Sequence, residues 1–322
     1  WVTNKTGTTN NTRNIVAFLD LGEERQINND GDILIQNNYI TNPISNSGLP
    51  DNIQGNGMYN TLINNYNGIR NISDINNIFS DSYLQGTGFS NGQDYEKLER
   101  ARKLSESEFS VNTQLGYISL NQALSNDEVL AVAFQYTQGS QTFQVGELST
   151  TGPDAPSTLI LKLLKGTNFS PSLPNWDLMM KNIYAIGAYQ MSRDGFILDV
   201  MYENTEESGA LTNYLPEEKL EGEPILRMLN LDRLNQQMDN QSDGIFDFIE
   251  NITAKSSNGR IIFPVREPFG SYLEEKLQNK GLINVTEKYV YQALYDSTLT
   301  VAQQYPELNK FRLKGRYQST SG

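Results

Sequence analysis

Short apolar runs separated by turn-forming residues dominate the pattern of this 322-residue chain. The first run, Ile15–Leu21, is nearly continuous and closes at Gly22, which is typical of a strand buried on both faces or packed beneath a loop. The Asn-rich stretch Gln26–Ser90 then alternates apolar pairs with Asn-Asn, Asn-Gly and Asp-Gly dipeptides. Because these dipeptides favour turns, the stretch predicts short strands or turns with little helix.

Two kinds of periodicity follow before residue 150. Tyr95–Ser105 spaces its apolar residues as a helix does, among alternating charges, and predicts a short surface helix with one buried face. Three β-rich runs come next, with a turn at Gly139 before the last of them. We expect these runs to form three antiparallel strands: Leu115–Leu120, Val129–Thr137 and Thr142–Leu148.

A segment rich in Pro, Gly and small polar residues, Thr150–Ser157, is the predicted domain boundary. It separates an Asn-rich β domain, 1–150, from an α+β domain, 151–322, with an acidic loop and C-terminal helices. The elements expected in the second domain are a hairpin of Leu178–Tyr189 with Gly195–Tyr202, a strand at Arg260–Val265, helices at Gly270–Asn279 and Tyr289–Gln304, and a strand at Lys310–Tyr317. The predicted class is α+β and β-rich, with two sandwich-like β units and short helices.

Composition narrows the classes of function. A net charge of −13 at pH 7 disfavours nucleic acid as a partner, because an acidic surface repels phosphate backbones. Histidine and cysteine are absent, which removes imidazole and thiolate chemistry and leaves carboxylates, Tyr, Lys and Ser as acid–base or nucleophilic groups. The longest apolar runs, such as Val129–Phe134, are far shorter than the roughly 20 residues of a membrane helix. We expect a chain that is not an enzyme and does not span a membrane as a helix.

An acidic segment, Asp239–Glu250, has the spacing of an EF-hand calcium loop, with Gly244 at the sharp turn. The oxygen donors at the ligand positions are Asp239, Gln241, Asp243, Ile245 through its carbonyl, Asp247 and Glu250. Hard calcium prefers oxygen ligands, so Ca²⁺ is the candidate cofactor. Against it, Gln is atypical at the third position, and the sequence after the loop does not resemble an EF-hand exit helix. The alternative is an ordinary Asp-Gly turn with solvated carboxylates.

Carboxylate chemistry has candidates of its own. Asp177 beside Trp176, or Glu203 with Glu206, offers acids for a hydrolytic pair, although on an acidic chain such residues are far more often ordinary surface groups. A group of apolar residues forms either an exposed aromatic platform for a glycan or peptide or part of the core, and the spacing favours the core. The members are Trp176, Met179, Met180, Ile183 and Tyr184.

The turn Arg266–Gly270, which contains Pro268, has two interpretations as well. It either docks a partner or only terminates the preceding strand, since Pro and Gly interrupt regular structure.

The chain resembles one known family in four ordered segments. These are RNIVAFLDLGE at Arg13–Glu23, LGYISLNQALSNDEVLAVAFQYT at Leu115–Thr137, PNWDLMMKNIYAIGAYQ at Pro174–Gln190, and the whole of Asn230–Gly270. The last segment joins the acidic loop to a strand and the Arg-Glu-Pro-Phe-Gly turn, and it carries most of the resemblance. The family is the SprA/Sov group, the outer-membrane translocon of the type IX secretion system, which also serves gliding motility.

This resemblance implies a fragment of a single-chain outer-membrane barrel that exports folded proteins. Its implied partners are a PorV-like shuttle protein, a plug protein and exported cargo proteins. The strands here are shorter than the about 9–11 residues of a lipid-facing wall, so we expect a soluble, non-catalytic domain attached to the barrel. The implied location is the outer membrane at the cell surface, with the extracellular cap favoured over the periplasmic face. The alternative from a different class is a calcium-stabilised surface glycan-binding or adhesion module.

Overall fold

A computed structural model of the chain describes residues 1–21, 26–27, 33–34, 59, 62–64, 66–80, 90–168, 170–205 and 208–320. The fold is mixed α+β and strand-rich, with 28% strand and 20% helix in several small sheets and short helices. This confirms the predicted α+β, β-rich class. None of the helices in the described ranges is long and apolar enough to cross a membrane.

Two compact units make up the chain: 1–110 with 118–178, and 111–117 with 179–322. The predicted boundary segment, Thr150–Ser157, lies inside the first unit. The reason is that the strand directly after it pairs in parallel with the first strand of the chain, through Ile15↔Leu159 and the following pairs. A composition rich in Pro and Gly therefore marks a loop inside a unit at this place.

The strands up to residue 178 are β1 Thr12–Phe18, β2 Gln26–Ile27, β3 Ile33–Leu34, β4 Tyr95–Arg102, β5 Phe109–Asn112, β6 Tyr117–Leu120, β7 Leu130–Val132, β8 Phe134–Gln138, β9 Gln141–Val145 and β10 Leu159–Lys165. Helix α1 is Ile75–Ser80, and short 3₁₀ turns occupy Asn67–Arg70 and Pro174–Leu178. Most of Gln26–Ser90 lies outside the described residues.

The main sheet of the first unit has the order β4-β1-β10-β7, with β1 inside it. Ile15 and Ala17 pack on one face with apolar residues of β10, while Val16 and Phe18 pack on the other face against residues of 59–79. Side chains alternate across a strand, so a strand covered on both faces is apolar at nearly every position. This is the reason for the continuous apolar run, and the predicted buried strand is confirmed.

The helix predicted at Tyr95–Ser105 is wrong: this segment is the strand β4. Its register against β1 shifts between Arg13 and Ile15, and Arg100 adopts a positive φ of 54°. Such a bulge inserts one extra residue, so Leu98 and Ala101 reach the same core face three positions apart. The bulge therefore gives a strand the apolar spacing of a helix.

The three-strand prediction is right in one part and wrong in another. β8 and β9 form the expected hairpin around Gly139, which has a φ of +59°. β7 instead pairs with β10, and β6 belongs to a separate two-stranded sheet. Apolar strands in this unit pair with the strands that bury their side chains, and these are not always the next strands in sequence.

The later elements are the strands β11 Ile183–Ala185, β12 Ile197–Asn204, β13 Ala210–Thr212, β14 Ala254–Lys255, β15 Arg260–Ile262 and β16 Phe311–Arg316, with the helices α2 Ile225–Met228, α3 Ser271–Asn279, α4 Thr286–Tyr289, α5 Ala293–Asp296 and α6 Leu299–Ala302. Short 3₁₀ turns occupy Glu218–Leu220, Ser256–Asn258 and Ile283–Val285. These elements form two sheets of the second unit, with the orders β11-β15-β14 and β13-β12-β16.

Several predictions for the second unit are confirmed, and two are wrong. The strand at Arg260–Val265, the helix at Gly270–Asn279 and the terminal strand appear as β15, α3 and β16. The expected hairpin does not form, because β11 pairs with β15 and β12 pairs with β13 and β16. The continuous helix at Tyr289–Gln304 is interrupted at residues 290–292 and again after Asp296, where the Thr298 side chain caps a new turn by accepting the Val301 N–H.

Candidate functional site

The acidic loop is organised around a carboxylate that lies before it in sequence. Asp232 is completely buried, and its two oxygens accept the backbone N–H groups of Asp243 at 2.9 Å and Gly244 at 3.1 Å. Its carbonyl accepts the Ser242 hydroxyl at 2.8 Å. The Arg227 guanidinium lies 3.5 Å from the same carboxylate. Segment 242–244 is thus held around the side chain of Asp232.

A second carboxylate joins the same two stretches of chain in the opposite sense. Asp247 accepts the backbone N–H groups of Arg233 at 2.6 Å and Leu234 at 3.1 Å. The N–H of Asp247 donates to the Leu231 carbonyl at 2.8 Å. Asp232 and Asp247 therefore hold residues 231–234 and 242–247 together, because each carboxylate accepts backbone N–H groups from the stretch that contains the other.

The remaining predicted ligands serve separate local turns. The Asp239 N–H donates to the Asn235 side chain at 2.9 Å, and the exposed Gln241 donates its N–H to the Asp239 carbonyl at 2.7 Å. Asp243 accepts the N–H of Ile245 at 3.0 Å. Glu250, at the other end of the segment, accepts the N–H of Ser256 at 3.1 Å. The carboxylates of Asp243 and Glu250 thus stabilise different parts of the backbone, and that of Asp239 accepts the Asn235 side-chain amide, at 3.4 Å.

These residues do not fit a calcium site. In the described ranges there is no group of three or more acidic side chains arranged to hold a metal ion. Gly244 has a φ of +84°, and a Cβ there would meet nothing within 4 Å, so the position needs glycine for its backbone conformation alone. The geometry is that of an Asp-Gly turn closed on Asp232.

We expect the melting temperature to be unchanged by millimolar calcium or by a chelator. The reason is that the carboxylates of Asp243, Asp247 and Glu250 already accept hydrogen bonds from backbone N–H groups. Gly244→Ala is expected to cost about 1 kcal/mol of folding free energy from its positive φ, equally with and without calcium. Thermal denaturation under the two conditions checks both statements. A calcium-dependent rise in melting temperature that Asp243→Ala removes is the contrary result.

Burial raises the pKa of Asp247 above its ordinary 3.8. The N–H groups of Arg233 and Leu234 oppose this effect, whereas the nearby carboxylates of Asp232 and Asp243 add to it. The folded state therefore holds this proton more tightly than the unfolded state does. Ionising Asp247 costs stability as the pH rises from the unfolded pKa through the folded pKa.

Asp247→Asn removes this titration while keeping one acceptor oxygen. Relative to the unaltered protein, the variant should gain stability as the pH rises from below the ordinary carboxyl pKa through the raised pKa of Asp247, because only the aspartate must give up a proton. Melting temperatures of the two proteins measured across this range test the sign. A difference that is constant, or that shrinks with rising pH, would show that burial does not raise this pKa.

The turn Arg266–Gly270 is a buried anchor. Phe269 is buried, donates its N–H to the Tyr295 hydroxyl at 3.0 Å and accepts the Tyr291 N–H at 2.7 Å. Pro268 is buried as well. A Cβ on Gly270 would lie 2.7 Å from the Tyr295 ring, so only glycine permits this approach. The structure supports the interpretation that this turn terminates the preceding strand. The turn also holds α5 in place through Tyr295.

The candidates for carboxylate chemistry and sugar binding are dispersed. Trp176 is buried and Asp177 is exposed. Glu203 pairs with Arg312 at 2.9 Å, while Glu206 lies outside the described residues. Tyr184 packs edge-on against Phe263 and Phe269, with ring centroids 5.3 and 6.0 Å apart. These aromatic side chains therefore belong to the core.

The first unit contains a buried ionic cluster that sequence reasoning did not find. Glu147, 3% exposed, accepts the Tyr59 hydroxyl at 2.7 Å, both terminal nitrogens of Arg70 at 2.6 and 2.7 Å, and the N–H of Ile160 at 2.8 Å. Burial, followed by the hydrogen bond to Glu147, raises the pKa of the Tyr59 hydroxyl. The cluster ties residues 59 and 70 to the main sheet.

Asp232 and Glu147 carry only weak signals in the sequence. Asp232 lies between Leu231 and Arg233 in a stretch where leucines alternate with polar residues, and nothing local distinguishes it from a surface acid. Glu147 follows the predicted third strand, but its partners lie far away along the chain.

No model of a known protein family matches this chain, and no characterised protein matches it significantly.

Proposed function

We propose that this chain is a non-catalytic domain of the outer-membrane translocon of the type IX secretion system, acting in protein export and gliding motility. The observation that carries the proposal is where two of the four resembling segments lie in the fold, one of them the segment that carries most of the resemblance. Arg13–Glu23 contains β1, an inner strand of the main sheet of its unit. Asn230–Gly270 contains Asp232, the central strand β15 and the anchored turn. Sequence similarity in buried core elements is tied to the fold. Similarity confined to surface turns arises more easily by chance.

A non-catalytic role is supported by what the buried ionisable groups do. Asp232 and Glu147 accept backbone and side-chain donors, as described above. Glu96 accepts the N–H and hydroxyl of Thr167, each at 2.6 Å, and Lys162 donates to the Leu19 carbonyl at 2.5 Å. Each of these groups stabilises the structure around it through hydrogen bonds. These bonds account for the burial of the groups, and no catalytic role is needed to explain it.

The proposed setting is the cell-surface side of the outer membrane, in the extracellular cap more than on the periplasmic face. The proposed partners are the PorV-like shuttle, the plug protein and cargo in transit. The calcium-stabilised glycan-binding alternative gains no support, because the acidic loop does not fit a metal site and Trp176 is buried.

The test is a pair of substitutions in the parent protein of the source bacterium. Asp232→Ala removes the centre of the acidic loop and should block both the export of type IX cargo and gliding. Asp243→Ala, which removes an exposed carboxylate of the same loop, should leave both intact. Normal export and gliding with Asp232→Ala, in cells where protease sensitivity shows that the domain is unfolded, would contradict the proposal.

A further inference from the structure

One face of β16 is strongly basic in a chain that has 38 acidic and 25 basic residues. Side chains alternate along a strand, so every second residue lies on the same face. Phe311 and Leu313 pack against the core of the second unit. The opposite face carries a row of four cations, which we call the basic row: Lys310, Arg312, Lys314 and Arg316.

The basic row is only partly neutralised. Arg312 pairs with Glu203 of β12 at 2.9 Å, and Lys310 donates to the Thr205 hydroxyl at 3.2 Å. The other two members, Lys314 and Arg316, are exposed. In the register, Lys314 lies opposite Asp199 of β12 and Arg316 lies opposite Ile197, and among the described residues neither cation forms a salt bridge. The exposed end of the row therefore carries a local positive charge.

The same strand has an open backbone edge. β16 is the last strand in the order β13-β12-β16. The Glu203 N–H donates to the Lys310 carbonyl at 2.9 Å, so in this antiparallel register the members of the basic row bond to β12. The N–H and C=O groups of Leu313 and Gly315 then point away from β12. Among the described residues no group bonds to them across this edge.

We propose that β16 is a docking edge for an acidic, extended polypeptide, which adds to this sheet as a further strand. The outward N–H and C=O groups of β16 would pair with the main chain of the partner. Side chains directly opposite each other on neighbouring strands lie about 5 Å apart. An acidic residue at every second position of the partner would therefore face the basic row along its length.

Two other occupants fit less well. A second copy of β16 would place the basic row against itself, and like charges directly opposite each other destabilise strand pairing. A polyanion without a peptide backbone, such as a sulfated polysaccharide, matches the charge but leaves the outward main-chain groups without partners. The docking edge is defined by β12 and β16 alone and does not depend on the proposed function.

The test uses the 322-residue chain and a labelled synthetic peptide in which Glu alternates with Val, with fluorescence anisotropy at low salt as the readout. We expect saturable binding that falls about tenfold when both exposed cations are reversed, in the double variant Lys314→Glu/Arg316→Glu. A matched control, Arg266→Glu/Lys276→Glu, makes the same change of net charge elsewhere in the second unit. It should leave the affinity within about twofold.

A second comparison needs no protein variant. The same peptide methylated at every backbone nitrogen keeps its charge and loses its donors, and it should bind the unaltered chain at least about tenfold more weakly. Equal binding of the methylated peptide, or of a sulfated polysaccharide of similar charge, would show a general anion surface and overturn the proposal. So would the absence of peptide binding, or an equal loss in the control variant.

Discussion

Replacing Asp232 with Ala is expected to lower the free energy of unfolding by about 3 kcal/mol. The side chain is completely buried and accepts two backbone N–H groups, from Asp243 and Gly244. Its removal leaves both donors without an acceptor, takes the carboxylate from beside Arg227 and opens a cavity. Chemical denaturation followed by far-ultraviolet circular dichroism measures the loss.

Two further substitutions make this measurement specific to Asp232. Asp243→Ala removes an exposed carboxylate with one local acceptor bond, to Ile245, and should cost less than about 1 kcal/mol. Asp232→Asn keeps the shape and one acceptor oxygen, so its cost should fall between those of the two alanine variants. Equal stabilities of Asp232→Ala and Asp243→Ala would mean that the buried carboxylate does not organise the loop.

Glu147→Ala should destabilise the first unit by about 3–4 kcal/mol, because it breaks a buried ion pair and leaves its partners in place. The carboxylate of Glu147 is the common acceptor for Tyr59, Arg70 and the Ile160 N–H. Part of the cost is relieved at Arg70, whose side chain is 31% exposed and can turn towards solvent.

A double-mutant cycle isolates the pair. Arg70→Met alone leaves the buried carboxylate uncompensated, Glu147→Leu alone leaves the guanidinium without its carboxylate, and the two substitutions together remove both charges. The double variant should therefore be more stable than the sum of the single costs implies, by at least about 1 kcal/mol. Strict additivity in denaturation experiments would show that the two residues act independently.

The apolar strands were predictable where burial on both faces leaves a continuous apolar run, as in β1. Prediction from the local sequence pattern fails where a backbone irregularity changes the spacing of the apolar residues. The bulge at Arg100 gives β4 the apolar spacing of a helix in this way. Such prediction also fails where partners are distant. β11 and β12 are neighbours in sequence, yet β11 pairs with β15 and β12 with β16, since those pairings bury their apolar faces.

The acidic loop shows that a candidate site, too, can depend on a residue that the local sequence pattern does not reveal. Its spacing places oxygen donors at regular positions, and spacing alone does not distinguish a loop closed on a metal ion from one closed on its own backbone. The deciding residue, Asp232, precedes the loop and carries no motif. The need for glycine at Gly244 could be predicted, because a sharp turn requires a positive φ whichever group closes the loop.

The size and location of the parent polypeptide test the proposed function most directly. An antibody raised against this 322-residue chain, applied to separated membrane fractions of the source bacterium, should detect one outer-membrane protein several times longer than the chain. Intact cells should bind the same antibody if the domain lies in the extracellular cap. Detection of a polypeptide close to 36.3 kDa, or of signal confined to the cytoplasmic fraction, would contradict the assignment to the translocon.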